Sequence, residues 1–192
     1  MIQAILLAAG RSERFGGDKL LQPLSDGQPV GLATARILRE AMNPVLVVVR
    51  PGAGELHELL LGDRFDVRTC PRANEGMGAS LAFGVGESAG ADGWLVALAD
   101  MPFVQVDTIA AVVRLIEQGA DISAPAFDGR RGHPVAFSSR LGPALRQLRG
   151  DTGARGLIEG GAGRVRLHPC ADPGCLRDID TPADLASPPL TA

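Results

Sequence analysis

Lys19 is the only lysine in a chain that carries eighteen arginines, and it closes a glycine-rich loop, Ala9-Gly10-Arg11-Ser12-Glu13-Arg14-Phe15-Gly16-Gly17-Asp18-Lys19. Small residues let backbone N–H groups come close to an anion, and Arg14 and Lys19 add two cations to the same loop. This is phosphate chemistry in outline. The two cations are not equivalent: a guanidinium clamps two phosphate oxygens at once, while an ammonium is a compact point charge that can follow a reacting phosphorus. Leu20 stands where a Walker loop needs Ser or Thr, and G-x-G-x-x-G is absent. An ordinary glycine-rich surface turn with solvated charges would carry the same letters.

A second chemical group sits in "GWLVALADMPF", where an apolar run ends directly in Asp100 and is followed by Met101 and Pro102. A carboxylate there suits hard Mg²⁺, which takes one or two carboxylates and keeps waters and substrate phosphates. The structural alternative is an Asp that caps the following turn. Cys170 and Cys175 lie near His168, but four residues separate the cysteines and no fourth ligand is close in sequence. Pro169, Pro173 and Gly174 mark a surface turn there, so thiolate–metal chemistry is set aside.

These groups need elements to hold them. Bare apolar runs recur as "IQAILLA", "PVLVVV", "FDVRTC", "GWLVALA", "ADISAPA" and "HPVAFS". Without polar alternation they read as strands buried on both faces, as in a parallel sheet. Residues 30–42, 54–62, 78–88, 105–118 and 138–149 read as helices between them. Asp107 and Thr108 offer the fourth helix a polar start and Gly119 a stop. The alternation predicts a single-domain α/β fold, a mostly parallel Rossmann-like sheet flanked by helices. One domain is expected over residues 1–186, with 187–192, "SPPLTA", as a flexible tail. In such sheets ligands sit outside the carboxyl ends of the strands, which is where both the glycine-rich loop and Asp100 fall.

Composition narrows the function classes. A hydrophobic content of 45 %, 4 % aromatics and a net charge of −3 describe a globular chain with no global nucleic-acid signature. From Asp128 to Arg166 eight arginines face three acids, a local excess of five positive charges that would attract an anionic small molecule. Phe137 is the only aromatic within that stretch, with Phe127 just before it, which leaves little for base stacking. "MIQAILLAAG" lacks the basic flank of a signal peptide, and no apolar run reaches the length of a membrane span. Three cysteines form no disulfide framework. The expectation is a cytoplasmic protein that acts on small molecules, with neither nucleic acid nor membrane as partner.

With these stretches together, the chain resembles the MobA-like NTP transferases, and within them the molybdenum cofactor cytidylyltransferases. "LAAGRSERFGGDKLL" is similar to the family's signature loop, "ADMPF" to its metal-binding turn, "GRRGHPVAF" and "GDTGAR" to its acceptor-side motifs, and "DIDTPADL" to its C-terminal motif. The matches run in chain order from residue 6 to residue 185. The resemblance implies a fold of the nucleotide-diphospho-sugar transferase type. It further implies transfer of CMP from CTP to the phosphate of molybdopterin, with pyrophosphate leaving and Mg²⁺ as cofactor. The product would pass to a molybdoenzyme or its chaperone.

Carried over by position, Ala8, Ala9, Gly10, Arg14 and Lys19 would hold the nucleotide, and Arg14, Lys19 and Asp100 would carry the chemistry. Asp100 would bind the metal with a second carboxylate from Asp178-Ile179-Asp180. Asp180 is favoured because Thr181-Pro182 starts a helix directly after it, and Asp178 stays open. Asp172 and Asp184 are read as solvated. "NEGMGASL", residues 74–81, is similar to the family's base-recognition segment, with Gly78 and Ser80 near base and ribose. The same segment also reads as a helix N-terminus. Phe15 stands where the family often has Met, and Gly78 where it often has Ser. Ala9, where guanylyl transferases commonly have Gly, points to CTP.

Nucleotidyl transfer needs positioning and charge neutralisation more than acid–base chemistry, and an acceptor phosphate is already ionised near neutral pH. No general base is therefore sought among the His and Glu residues. His133 would either contact the acceptor or fix its own turn, and Arg155 in "GDTGAR" is the acceptor-binding arginine singled out. Three rivals stay in view: a sugar phosphate as acceptor, a non-catalytic nucleotide-binding module that delivers a cofactor, and an NAD-dependent oxidoreductase. The missing G-x-G-x-x-G disfavours the last. Lys19→Ala is expected to remove turnover with little loss of stability, as for any loop ammonium.

Overall fold

A computed structural model of the chain describes residues 1–10, 15–151 and 153–186. The six expected strands all form: β1 Ile2–Ala8, β2 Val45–Val49, β3 Asp66–Thr69, β4 Gly93–Leu98, β5 Ile122–Phe127 and β7 Val135–Ser138. Two more join them, β6 Arg130–Arg131 and β8 Val165–Pro169. The order across the sheet is β3-β2-β1-β4-β7-β5-β6, with β8 on the other side of β5. β1 to β4 are parallel, and β8 runs parallel to β5. β7 inserts antiparallel between β4 and β5, so the sheet is mixed but mostly parallel.

The central strands are apolar because both faces are covered. Ala4, Leu6, Val47 and Leu95 pack on one side with Leu38, Leu56 and Val112, while Ile5, Val48, Val96 and Ile122 pack on the other with Leu81, Val85 and Leu145. Helices α1 Val30–Ala41, α2 Gly54–Gly62, α3 Met77–Glu87 and α4 Val106–Glu117 lie within a residue of where periodicity puts them. No helix among the described residues is long and apolar enough to cross a membrane.

The helix expected over 138–149 is shorter. A 3₁₀ turn at Ser139–Leu141 leads into α5, Gly142–Arg146. Pro143 explains the difference: it has no N–H to donate and its ring clashes with a preceding turn, so it fits the first turn of a helix but not an interior position. β8 and α6 Arg155–Glu159 escaped the sequence reading because they are short and largely exposed or half-buried, without an apolar period, whereas α7 Pro182–Ala186 is the helix expected to start at Thr181-Pro182. The tail assigned to 187–192 lies outside the described residues.

Two aspartates expected to be solvated are structural. Asp172 is buried, and its carboxylate accepts from the backbone N–H groups of Gln105 and Gly174, both at 2.9 Å. It thereby ties the chain after β8 to the start of α4. Asp184 accepts from Asp180 N, Thr181 N and Thr181 Oγ1 at 2.7–3.1 Å, reaching back across the first turn of α7 as a capping-box acid does. Those bonds, the Thr181 hydroxyl first, pull the Asp184 carboxyl below its usual range.

Candidate active site at the carboxyl ends of β1 and β4

β1 and β4 are adjacent and in register, Leu7 opposite Leu98, so their carboxyl ends deliver Ala9-Gly10 and Asp100 side by side. The Ala99 N–H donates to Leu7 O at 3.1 Å and holds the two ends together. The C-terminal segment is brought to the same place by Ile179, whose N–H donates to Asp100 O at 2.9 Å and whose side chain is fully buried. Asp178 and Asp180 therefore flank Asp100, although nearly eighty positions separate them in sequence.

Lys19 sits against this group. Its Nζ lies 2.7 Å from Asp100 Oδ2 and 3.1 Å from Asp180 Oδ1, and the residue is 9 % exposed within a 3₁₀ turn at Lys19–Leu21. Burial penalises the ammonium most, but the hydrogen bonds and charges of Asp100 and then Asp180 outweigh it. The Lys19 pKa accordingly lies above the ordinary lysine value. Asp178 shows the opposite balance: partial burial, then the neighbouring charges of Asp180 and Asp100, push its carboxyl up.

Asp100, Asp178 and Asp180 each offer a carboxylate oxygen within 4.8 Å of the others. Asp100 Oδ1 is buried with no partner among the described residues, an acceptor whose desolvation nothing in the chain offsets. Three hard oxygen donors with one orphaned lone-pair set fit a divalent cation of the Mg²⁺ or Mn²⁺ type. The trio includes both carboxylates between which the sequence left the second ligand open.

A cleft of about 490 Å³ opens from this group. Ala9, Gly10, Phe15, Lys19, Asp100 and Asp180 line it, together with Asn74, Gly76, Met77, Ser80 and Asp151. Part of this wall is the start of α3, whose backbone enters through Gly76 at φ +112°, a left-handed value that favours glycine. Gly78 is buried beside it and donates its N–H to Gly150 O at 2.7 Å. Ser80 is buried in the first turn of α3, so the segment is a helix N-terminus and a cleft wall at once. Ala8 is buried at the end of β1, one residue behind the lining.

Other expected residues fall elsewhere. Arg14 lies outside the described residues. Arg155 is exposed on α6 in an ion pair with Glu159 at 2.7 Å, and it is not among the residues that line the cleft. His133 lines a separate apolar cavity of about 20 Å³ that shares Leu98 with the cleft. Its backbone N–H donates to Cys175 O at 2.8 Å, and its Nδ1 is buried without a partner among the described residues. Burial first, and then the charge of Arg131, push the His133 pKa down, while Asp100 opposes them.

Asn74 and Asp151 were not singled out from sequence. Both lie inside motifs that were noticed, "NEGMGASL" and "GDTGAR", but nothing local tells which polar residue of a loop turns inward. Cys175 is buried and its thiol is pushed up to about 12, by burial first and then by Cys170, which leaves it protonated and inert.

The sequence pattern of the MobA-like NTP transferase domain matches residues 4–168, across the glycine-rich loop, Asp100, His133 and Asp151. The chain belongs to that family. This MobA-like protein is a nucleotidyltransferase by family and fold. It is similar to the purine catabolism protein PucB of Bacillus subtilis (strain 168), 37 % identical over 94 % of this chain and 92 % of that one. Among solved structures it is similar to the manganese complex of Rv0371c from Mycobacterium tuberculosis H37Rv, with a TM-score of 0.79 and 27 % identity over 96 % of each chain. It is also similar to a nucleotidyl transferase from Methanothermobacter, with a TM-score of 0.80 and 27 % identity over 97 % of this chain and 94 % of that one.

Proposed function

We propose that this MobA-like transferase moves CMP from CTP to the phosphate of molybdopterin, releases pyrophosphate, and uses Mg²⁺. The observation that carries the reading is the position of Lys19 Nζ between Asp100 and Asp180, where the cleft meets the three-carboxylate group. This charged group suits a triphosphate and a cation, and Asn74 and Ser80 in the same cleft suit an uncharged base and ribose. Ala9 lines the cleft at the position where the sequence resemblance favours cytidylyl over guanylyl transfer.

Asp100 and Asp180 would hold the cation, with Asp178 as the third donor. The manganese complex of the mycobacterial relative supports a divalent ion in such a site. When bound, the ion supplies charge neutralisation between the two anionic reactants. Gly10 and Ala9 let the backbone approach the phosphates. Lys19, released from its carboxylates once they are otherwise neutralised, would turn to the phosphate and stabilise charge as attack proceeds. Arg14 would clamp the leaving pyrophosphate with its two-pronged guanidinium. A phosphate monoester has a second pKa near 6, so the acceptor arrives ionised and no side chain has to remove a proton. His133 would form a wall on the acceptor side, behind the Leu98 that its apolar cavity shares with the cleft. Arg155 would have to leave Glu159 to reach an acceptor.

Pyrophosphate release measured with each of the four NTPs, with and without molybdopterin, on wild type and Asp100→Ala, tests the reading. Release that requires CTP, the pterin and Asp100 is expected. Release with a sugar phosphate in place of the pterin, or with another NTP alone, overturns the acceptor or the donor assignment.

A further inference from the structure

Asp151, an exposed residue, adds a carboxylate to the lining of a cleft built for a polyanion. Among the described residues it has no hydrogen-bond or ion-pair partner. The backbone leading to it packs closely on the start of α3. A side chain at Gly76 would overlap Asp151 Oδ1 and come within 2.5 Å of the Gly150 carbonyl carbon, and one at Gly78 would come within 2.8 Å of Arg149 O. Only because both positions are glycine can residues 149–151 lie against the start of α3, with Gly78 N bonded to Gly150 O. The packing sets Asp151 against Gly76, and Asn74 and Met77 line the same cleft.

An unpaired carboxylate repels a nucleoside triphosphate unless the part of the ligand beside it brings a hydrogen-bond donor. With the phosphates drawn to Lys19, the uncharged nucleoside is the part of the ligand that can meet the Asp151 carboxylate. An ionised carboxylate only accepts, whereas the Asn74 amide can donate. Cytosine presents an exocyclic amine next to a ring-nitrogen acceptor, the complement of that pair. Uracil presents a carbonyl next to a ring N–H, the reverse polarity, and would set its oxygen against the carboxylate. We propose that Asp151 is a specificity-determining residue that accepts a hydrogen bond from the exocyclic amine of the nucleobase, with Asn74 as the complementary donor, and so excludes uracil. The inference rests on the CTP reading above and adds the residue that selects the base.

The test is the affinity of the intact protein for CTP, UTP, GTP, ITP and 2′-deoxy-CTP, by titration calorimetry with Mg²⁺ and no acceptor, for wild type, Asp151→Ala and Asp151→Asn. Wild type is expected to prefer CTP to UTP by about 10- to 100-fold, the size of a charge-assisted hydrogen bond gained against one opposed. Asp151→Ala should bring the two nucleotides to similar affinity. Asp151→Asn, whose amide can turn its NH₂ toward a carbonyl, should strengthen UTP binding in absolute terms, a gain that a structural role does not give. An equal loss for every nucleotide, or a loss that disappears with 2′-deoxy-CTP, assigns Asp151 to loop packing or to the ribose and overturns the inference. Wild-type preference for GTP over ITP that Asp151→Ala abolishes keeps the amine contact while refuting CTP as donor. CTP selected through Asp151, with no pyrophosphate released on adding molybdopterin, refutes the proposed acceptor and leaves the inference standing.

Discussion

Removing the Lys19 ammonium should destabilise the metal-free protein and should do so much less once a divalent cation is bound. From sequence Lys19 is a loop residue whose loss leaves the fold intact. In the structure it is nearly buried and, among the described residues, is a cation paired with both Asp100 and Asp180. Removing one partner of a buried pair costs about 3–5 kcal/mol, because the other charge stays desolvated. Asp180 is about a third exposed, and its share is screened, so we expect about 2–3 kcal/mol for Lys19→Met. In a domain of this size that corresponds to a fall in Tm of roughly 4–12 °C. The assay is a thermal melt near neutral pH of wild type and Lys19→Met, each in chelator and in millimolar Mg²⁺ or Mn²⁺. The gap should be wide in chelator and should close substantially with metal, since the ion then replaces the ammonium among the carboxylates. Combining Lys19→Met with Asp100→Asn should restore stability in chelator, because the uncompensated charge is gone. Equal melting of wild type and Lys19→Met in chelator, or a gap that metal does not narrow, would refute the reasoning.

Two further outcomes follow from the same geometry. Asp172→Ala leaves the Gln105 and Gly174 N–H groups without their carboxylate, at about 1–3 kcal/mol for each buried donor left unmade. Because that bond ties down the segment leading to Asp178 and Asp180, Mn²⁺ affinity, followed by electron paramagnetic resonance, should fall together with Tm; loss of Tm alone would separate the tie from the site. His133 has its pKa lowered on folding, so the unfolded chain binds the proton more readily and stability should fall as pH drops below the ordinary histidine value. Its surroundings hold the like charge of Arg131 and the opposing charge of Asp100. Urea unfolding of wild type and His133→Gln across pH 5–8 should show this slope in wild type and less of it in the variant, and parallel profiles would assign the acid sensitivity to other groups.

Sequence alone determined what depends on local pattern. The six apolar runs became the strands around which the core forms, since a run buried on both faces cannot alternate, and four helices kept their positions because 3.6-residue spacing and glycine stops are local properties. It also determined that Lys19 and Asp100 would meet, because the glycine-rich loop and "ADMPF" both follow strands and neighbouring strand ends share a crevice. Tertiary structure decided the rest. Asp172 became a buried acid because its partner at Gln105 is a backbone N–H that meets it only when the C-terminal segment docks, while Asp184 caps its own helix through the local Thr181-Pro182-Ala183-Asp184 pattern. Lys19 became a buried counter-ion, Asp178 a third carboxylate and Asp151 a cleft residue, although in the sequence each is one charge among many. Whether a charge is solvated, paired or aimed into a cleft depends on the backbone placed around it from distant positions, and only the closed fold supplies that.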